Sequence, residues 1–354
     1  MSNITDVDKN LKVETNIERE GLVFKDANSA PFGLYGIYYD NDRYRRLPEE
    51  VAKNTSPGVH WLSTNTAGGR LRFITDSPYI AIKVALPHNT LFSHMPLTGI
   101  AGFDMYVYEN GEYSAVKTFV PPYSFTDNYE SVYDFPTERK ERDITLNFPL
   151  YNNVDKLYIG LKEGCVLREA PAYKMEKPMV FYGSSITQGG CASRPGNAYT
   201  SIVARKYDAD HINLGFSGNA KGEQIMADYI ASLDMSVFVL DYDHNAPDNA
   251  HYERTHEPLF KTIRAAHPTL PIIIMTRPKH KSLLATGELG RYDIAKRTYE
   301  NAIAEGDKNV YFIPGYELME TAGIDGCVDG THPTDYGFFS MAKRVCEELD
   351  KILL

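Results

Sequence analysis

The sequence predicts two structural classes in tandem, an antiparallel β-sandwich followed by an α/β segment built on a parallel sheet. Three observations predict this. Between Gly21 and about Lys162, short apolar or alternating segments are broken every few residues by Pro, Gly, Asn and Asp. Beyond Pro178 the rhythm changes, and short β-branched and aromatic runs alternate with helix-length stretches. The length, 354 residues with 43% hydrophobic and 24% charged, suits two domains that each bury a core.

In the first half, Leu71-Arg72-Phe73-Ile74 and Tyr79-Ile80-Ala81-Ile82-Lys83-Val84 read as strands parted by Thr75-Asp76-Ser77-Pro78. The segments 103–108 and 113–116 flank Glu109-Asn110-Gly111-Glu112, where Asn-Gly supplies the positive φ angles of a tight hairpin. Ile144-Thr145-Leu146 and Leu157-Tyr158-Ile159-Gly160-Leu161 continue the pattern, which fits a sandwich or jelly roll. In the second half, strands are expected at 179–182, 236–240, 271–275 and 310–313, and helices at 198–207, 224–231, 252–266, 291–304 and 336–353. Strands separated by helices imply βαβ units and a parallel sheet. The boundary falls in 168–178, giving a sandwich over 1–170 and an α/β domain over 171–354.

A net charge of −10 argues against nucleic acid, whose phosphates attract clustered Lys and Arg. The basic stretches Arg43-Tyr44-Arg45-Arg46 and Arg139-Lys140-Glu141-Arg142 read as solvated faces. The amino terminus, 1–12, is polar and lacks the apolar core of a leader, and no run is long enough for a membrane span. Four cysteines without CxxC spacing fit free thiols in a reducing cytoplasm; pairing of Cys191 with Cys327 is left open.

Two short motifs carry chemistry. Gly183-Ser184-Ser185-Ile186-Thr187-Gln188-Gly189 follows the run Met179-Val180-Phe181-Tyr182. Ser185 is thus expected in a tight turn at the carboxyl end of a strand, where open α/β sheets place their sites. A serine hydroxyl is a weak nucleophile and needs a base within reach. Asp329-Gly330-Thr331-His332-Pro333 supplies one: a D-x-x-H turn can fold the carboxylate onto one ring nitrogen of His332 and leave the other for Ser185. The same pattern also suits a structural turn. Donors for an oxyanion are expected from the Gly218 amide, in a Gly-rich loop over 213–219, and from the Asn245 side chain.

Three further residues have two readings each. His244, beside Asn245, lines the pocket or is a hydrogen-bonded loop residue. Arg194, in Cys191-Ala192-Ser193-Arg194-Pro195-Gly196, reaches substrate or lies on the surface. Trp61 forms a sugar-stacking wall at the domain junction or packs in the core. His251 and His256 are five apart and do not make a helical zinc pair.

In order, Ser185, Gly218, Asn245 and the Asp329/His332 pair resemble the four blocks of the SGNH (GDSL-type) hydrolase superfamily. Gly102-Phe103-Asp104-Met105-Tyr106 resembles the GxDLY signature of an amino-terminal β-sandwich, jelly-roll-like, fused to one branch of it. The resemblance implies a flavodoxin-like three-layer fold and an oxyanion hole from the Ser185 amide, the Gly218 amide and the Asn245 side chain, with no metal and no cofactor. Ser184 stands where the family has Asp in G-D-S, and Asp243 and Ala246 replace the Gly and Asp of the Asn block. The branch is similar to carbohydrate acetyl esterases. The implied activity is therefore a cytoplasmic serine esterase that removes O-acetyl groups from hemicellulose oligosaccharides, mannan-type ahead of xylan-type. A lipid or thioester acylhydrolase and a carbohydrate-binding protein on the same scaffold are the alternatives. The expected partner is an acetylated oligosaccharide, not nucleic acid or membrane, and a homo-oligomer stays open.

Overall fold

A computed structural model describes residues 15–136, 139–280 and 286–353, with backbone only for 286–289. The polar amino terminus, 1–12, lies outside the described residues. The first half forms two antiparallel sheets. One has the strand order Leu22–Asp26, Lys156–Lys162, Tyr79–Ala85, Asn128–Asp134. The other runs Leu167–Arg168, Arg70–Thr75, Arg142–Asn147, Phe103–Glu109, Glu112–Phe119, with Gly33–Tyr35 also paired to Arg70–Thr75. Asn110 and Gly111 close the expected hairpin with φ values of 55° and 86°. Two short helices, Glu49–Thr55 and Pro57–Leu62, interrupt the sandwich; neither was expected.

The second half is a five-stranded parallel sheet in the order Ala209–Gly215, Met175–Gly183, Val237–Asp241, Ile272–Met275, Val310–Ile313. By sequence this order is 2-1-3-4-5, the flavodoxin-like arrangement, whose switch point lies at the carboxyl end of the first strand. Strand periodicity builds the layers. Met179, Phe181, Val237, Val239 and Ile273 point to one face, whereas Val180, Tyr182, Phe238, Leu240 and Ile272 point to the other. The first face receives Tyr199–Lys206 and Asp335–Leu353. The second receives Gln224–Ala231, Asn249–Ala266 and Thr286–Ala304.

The apolar cluster on the first face continues without a break into the sandwich, through Phe103, Phe148, Leu150 and Tyr151. Asp335–Leu353 buries Phe338, Met341, Ala342, Val345 and Leu349, a stripe at helical spacing, and so anchors the segment just before it.

Two expectations need correction. The segment 213–219 is not all loop, because a strand runs through Ala209–Gly215 and the loop begins at Phe216. Arg43-Tyr44-Arg45-Arg46 is not a solvated face: Arg45 and Arg46 are 4% and 2% exposed.

Candidate active site

The strand Met175–Gly183 ends at a close approach that leaves room only for glycine. A Cβ on Gly183 would sit 2.2 Å from Thr187 Oγ1 and 2.3 Å from the Asp241 carbonyl. Ser184 caps the one-turn helix Ser185–Gln188, its hydroxyl accepting from the Ile186 amide at 3.2 Å, and Gly189 closes it in the left-handed region at φ 107°. Ser185 is thereby fixed at the first helical position over the switch point.

His332 arrives from the far end of the chain. His332 Nε2 lies 2.9 Å from Ser185 Oγ. Asp329 Oδ2 lies 2.7 Å from His332 Nδ1, while its Oδ1 accepts from the amides of Thr331 and His332. Burial would raise the Asp329 pKa, but the hydrogen bonds from the His332 amide and ring and from Thr331 outweigh it and hold the carboxyl at about 2. An ionised carboxylate only accepts, so Nδ1 must carry the ring proton and Nε2 is left to accept from the serine hydroxyl. This is the geometry of a nucleophile, a base and an orienting carboxylate.

Two loops face the turn. Gly218 has φ 69° and is exposed, and neither its amide nor that of Ser185 has an acceptor among the described residues. Asn245 follows the strand Val237–Asp241 and gives one Nδ2 proton to the Phe216 carbonyl at 2.8 Å, which keeps the other available. Arg291 holds the Asn245 loop by its carbonyls, at 2.6 Å to Asp243 O and 2.8 Å to Ala246 O. Gln188 holds the Gly218 loop, its Oε1 accepting from the Ser217 amide at 3.0 Å.

Several contributors to this framework carry no signal in the sequence. Tyr151, from the sandwich half, donates to the Ser185 carbonyl at 3.2 Å. Arg46 is buried and donates to the carbonyls of Leu62, Asn65, Asn213 and Gly215 at 2.7 to 2.9 Å, beneath the loop that carries Gly218. Gln188 Nε2 bonds Asn65, Asn65 bonds Asn153, and Asn153 bonds His88, on which Trp61 stacks at 4.9 Å.

The remaining expected residues divide. Trp61 is 54% exposed, so core packing is excluded for it. It stands on the helix Pro57–Leu62, whose Gly58 abuts Asn219 of the Gly218 loop. His244 is close enough to His332 to feel its charge; burial, that neighbour and the cations Arg277 and Arg291 push its pKa down to about 4, against the pull of Asp243. Arg194 is committed elsewhere: its Nη1 donates to Asp104 Oδ2 at 2.7 Å and to the Tyr106 hydroxyl at 2.6 Å. All four cysteines are free thiols, so Cys191 and Cys327 are unpaired. Burial, then the charges of Asp329 and Cys327, push the Cys191 thiol up to about 12, so it is neutral near pH 7.

A parallel sheet with a serine, a histidine and a carboxylate converging at its switch point defines a hydrolase of esters or related acyl compounds. The family model of the GDSL-like lipase/acylhydrolase family matches residues 176–350, and that of the amino-terminal domain of SGNH-hydrolase-type esterases, GxDLY, matches residues 22–167. The chain belongs to this SGNH (GDSL-type) family, in the branch with the GxDLY domain. A structure from Bacteroides ovatus ascribed to a GDSL-like lipase is 29% identical, with a TM-score of 0.84 over 94% of this chain and 98% of that one. The salicylyl-acyltransferase SsfX3 of a tetracycline biosynthetic pathway shares 20% identity and a TM-score of 0.77 over 95% and 99%. A family two carbohydrate esterase from Clostridium thermocellum, in complex with cellohexaose, shares 15% and 0.62 over 91% and 99%. No curated protein matches the sequence. No helix among the described residues is long and apolar enough to cross a membrane.

Proposed function

We propose that the protein is a serine esterase that removes O-acetyl groups from acetylated hemicellulose oligosaccharides, mannan-type ahead of xylan-type. The observation that carries this is the relay of 2.9 Å and 2.7 Å from Ser185 through His332 to Asp329. Ser185 Oγ attacks the acetyl carbonyl carbon as His332 Nε2 takes the hydroxyl proton. The oxyanion that forms is held by the Ser185 and Gly218 amides and by the spare Nδ2 proton of Asn245. Collapse breaks the bond to the sugar oxygen, which leaves with the proton from His332, and water then releases acetate by the same steps in reverse.

The sugar assignment rests on exposed Trp61, ring-stacked on half-buried His88 beside the Gly218 loop, a flat platform of the kind that pyranose faces cover. A carbohydrate esterase among the structural neighbours agrees with it. Domains over 1–170 and 171–354, with the site on the second, complete the reading. Free thiols at all four cysteines fit a cytoplasmic protein.

Mass-spectrometric deacetylation of mannan- and xylan-derived acetylated oligosaccharides, wild type against Ser185→Ala, tests it. Loss of 42-dalton-type acetyl mass shifts only with wild type supports the reading. A clear preference for p-nitrophenyl octanoate over p-nitrophenyl acetate would instead favour a lipid acylhydrolase.

A further inference from the structure

The proposed relay shares His332 with a second constellation, whose other two members hydrolysis does not use. One ligand atom each from His94, Cys191 and His332 lie within 4.8 Å of one another. His94 comes from the sandwich half, between the strand Tyr79–Ala85 and the helix Leu97–Ile100, and its ring centroid is 5.4 Å from that of His332. Phe92, two residues earlier, packs edge-on against Tyr151 at 5.3 Å and so docks this segment next to Ser185. Cys191 is buried in the turn that follows the nucleophile helix, with backbone φ 76°.

We infer that His94, Cys191 and His332 form an inhibitory site for a borderline-soft divalent cation of the Zn²⁺ type, seated on the imidazole nitrogen that faces Ser185. The ligand chemistry selects the ion: one thiolate and two imidazoles suit Zn²⁺, Co²⁺ or Cd²⁺ and disfavour Mg²⁺ and Ca²⁺. Ligands bound 2.0 to 2.3 Å from a tetrahedral ion lie roughly 3.3 to 3.8 Å apart, so the three atoms need to close by about 1 Å. His94 is exposed and can swing to do so.

His332 is already oriented for ligation. Asp329 holds its Nδ1, and a carboxylate on the far nitrogen of a histidine fixes the ring and raises the basicity of Nε2 toward a metal. The ion takes the Nε2 lone pair and the Cys191 sulfur, whose proton goes to solvent, while His94 gives a neutral imidazole and water completes the shell. With its Nε2 lone pair occupied, His332 cannot accept the Ser185 proton. The inhibition, unlike the binding, rests on the proposed roles of Ser185 and His332.

The test separates the two. The full-length protein, stripped with chelator, is titrated with Co²⁺ and its absorption followed, and p-nitrophenyl acetate hydrolysis is measured against added Zn²⁺, with Mg²⁺ as control. We expect a thiolate-to-Co²⁺ charge-transfer band in wild type and in Ser185→Ala, absent in Cys191→Ser and requiring at least tenfold more Co²⁺ in His94→Ala. Zn²⁺ should inhibit reversibly, chelator should restore the rate, and both variants should raise the half-inhibiting Zn²⁺ at least tenfold. No thiolate band in wild type, or half-inhibition unmoved in both variants, overturns the inference. Full hydrolysis by Ser185→Ala would overturn the nucleophile assignment while leaving the Co²⁺ spectrum as predicted.

Discussion

Asp104 offers the sharpest test of how the two halves make one site. It is fully buried on the strand Phe103–Glu109, yet it accepts three hydrogen bonds: from Arg194 Nη1 at 2.7 Å, the Gly196 amide at 2.8 Å and Asn147 Nδ2 at 2.7 Å. Arg194 and Gly196 belong to the segment that leaves the nucleophile turn. In that segment the Ser193 amide donates to Asp335 Oδ1 at 2.8 Å, and Asn197 donates to Asp335 Oδ2 at 2.9 Å, three residues beyond His332. Asp104→Ala removes a buried carboxylate and strands a guanidinium that is 23% exposed at its side chain, together with two polar groups. Breaking a buried pair in this way costs about 3–5 kcal/mol. At about 2.1 cal/mol/K of unfolding entropy per residue, 354 residues turn that into a fall in Tm of roughly 4–7 °C. Because the strand, the 193–197 segment and Asp335 are serially tied, kcat for p-nitrophenyl acetate should also fall, with KM less affected. Calorimetry and steady-state kinetics on Asp104→Ala, with Asp104→Asn expected at roughly half the effect, provide the check. A Tm within about 1 °C of wild type, on a scale of roughly 1.3 °C per kcal/mol for 354 residues, would refute the tether.

Other outcomes follow from the same geometry. Asn245→Ala should lower kcat about 10²- to 10³-fold with little change in KM, as measured by initial rates; a change confined to KM would remove Asn245 from the oxyanion hole. Asp329, held at about 2 in the fold, adds stability that is fully present above the ordinary carboxylate range and is lost as pH falls toward 2. The Tm gap between wild type and Asp329→Asn should therefore stay constant from pH 8 to about 5 and shrink below about 4; a gap that widens in acid contradicts the assignment. Asp241, beneath the nucleophile turn, has its pKa raised well above normal, first by burial and then by the charge of Asp243. A raised acid weakens the fold as pH climbs past the unfolded value of about 4, so Asp241→Asn should gain in Tm on wild type between pH 4 and 8.

What the sequence shows of the site follows from the reach of each interaction. Asp329 and His332 are legible because three residues suffice to bring carboxylate and ring together, and Ser185 because a strand, a glycine and a turn are written contiguously. The order of these motifs then points to a common fold, and the parallel sheet brings their loops to one edge. Arg46 is illegible for the opposite reason. Its neighbours Arg43 and Arg45 make it look like one member of a charge run, whereas its partners are carbonyls at 62, 65, 213 and 215. The strand Ala209–Gly215 lies at the sheet edge, and its polar residues mask it: Asp210 and His211 face Arg70 of the sandwich rather than solvent. Arg194 looked available for a substrate because its carboxylate partner sits 90 positions away.

These long-range contacts change what the sandwich is. It could have been an appended module, yet it supplies the hydroxyl of Tyr151 to the Ser185 carbonyl, the Asn65 that steadies Gln188, and Arg46 under the Gly218 loop. Among the described residues Arg46 has no carboxylate partner. Burial pushes its guanidinium down to about 9, against the pull of Tyr151, and it remains charged near pH 7. A buried cation is a poor device for stability alone, since desolvation opposes it and four carbonyl dipoles only partly offset that cost. Its charge lies in a medium of low dielectric, bonded to the carbonyls at 213 and 215 that lead into the Gly218 loop. A positive charge near that loop interacts more favourably with a negative oxygen than with a neutral ester. The residue that looks least like part of the site in the sequence thus supports the loop beside Ser185, and it comes from the half of the chain that carries neither the Ser185 nor the Asp329/His332 motif.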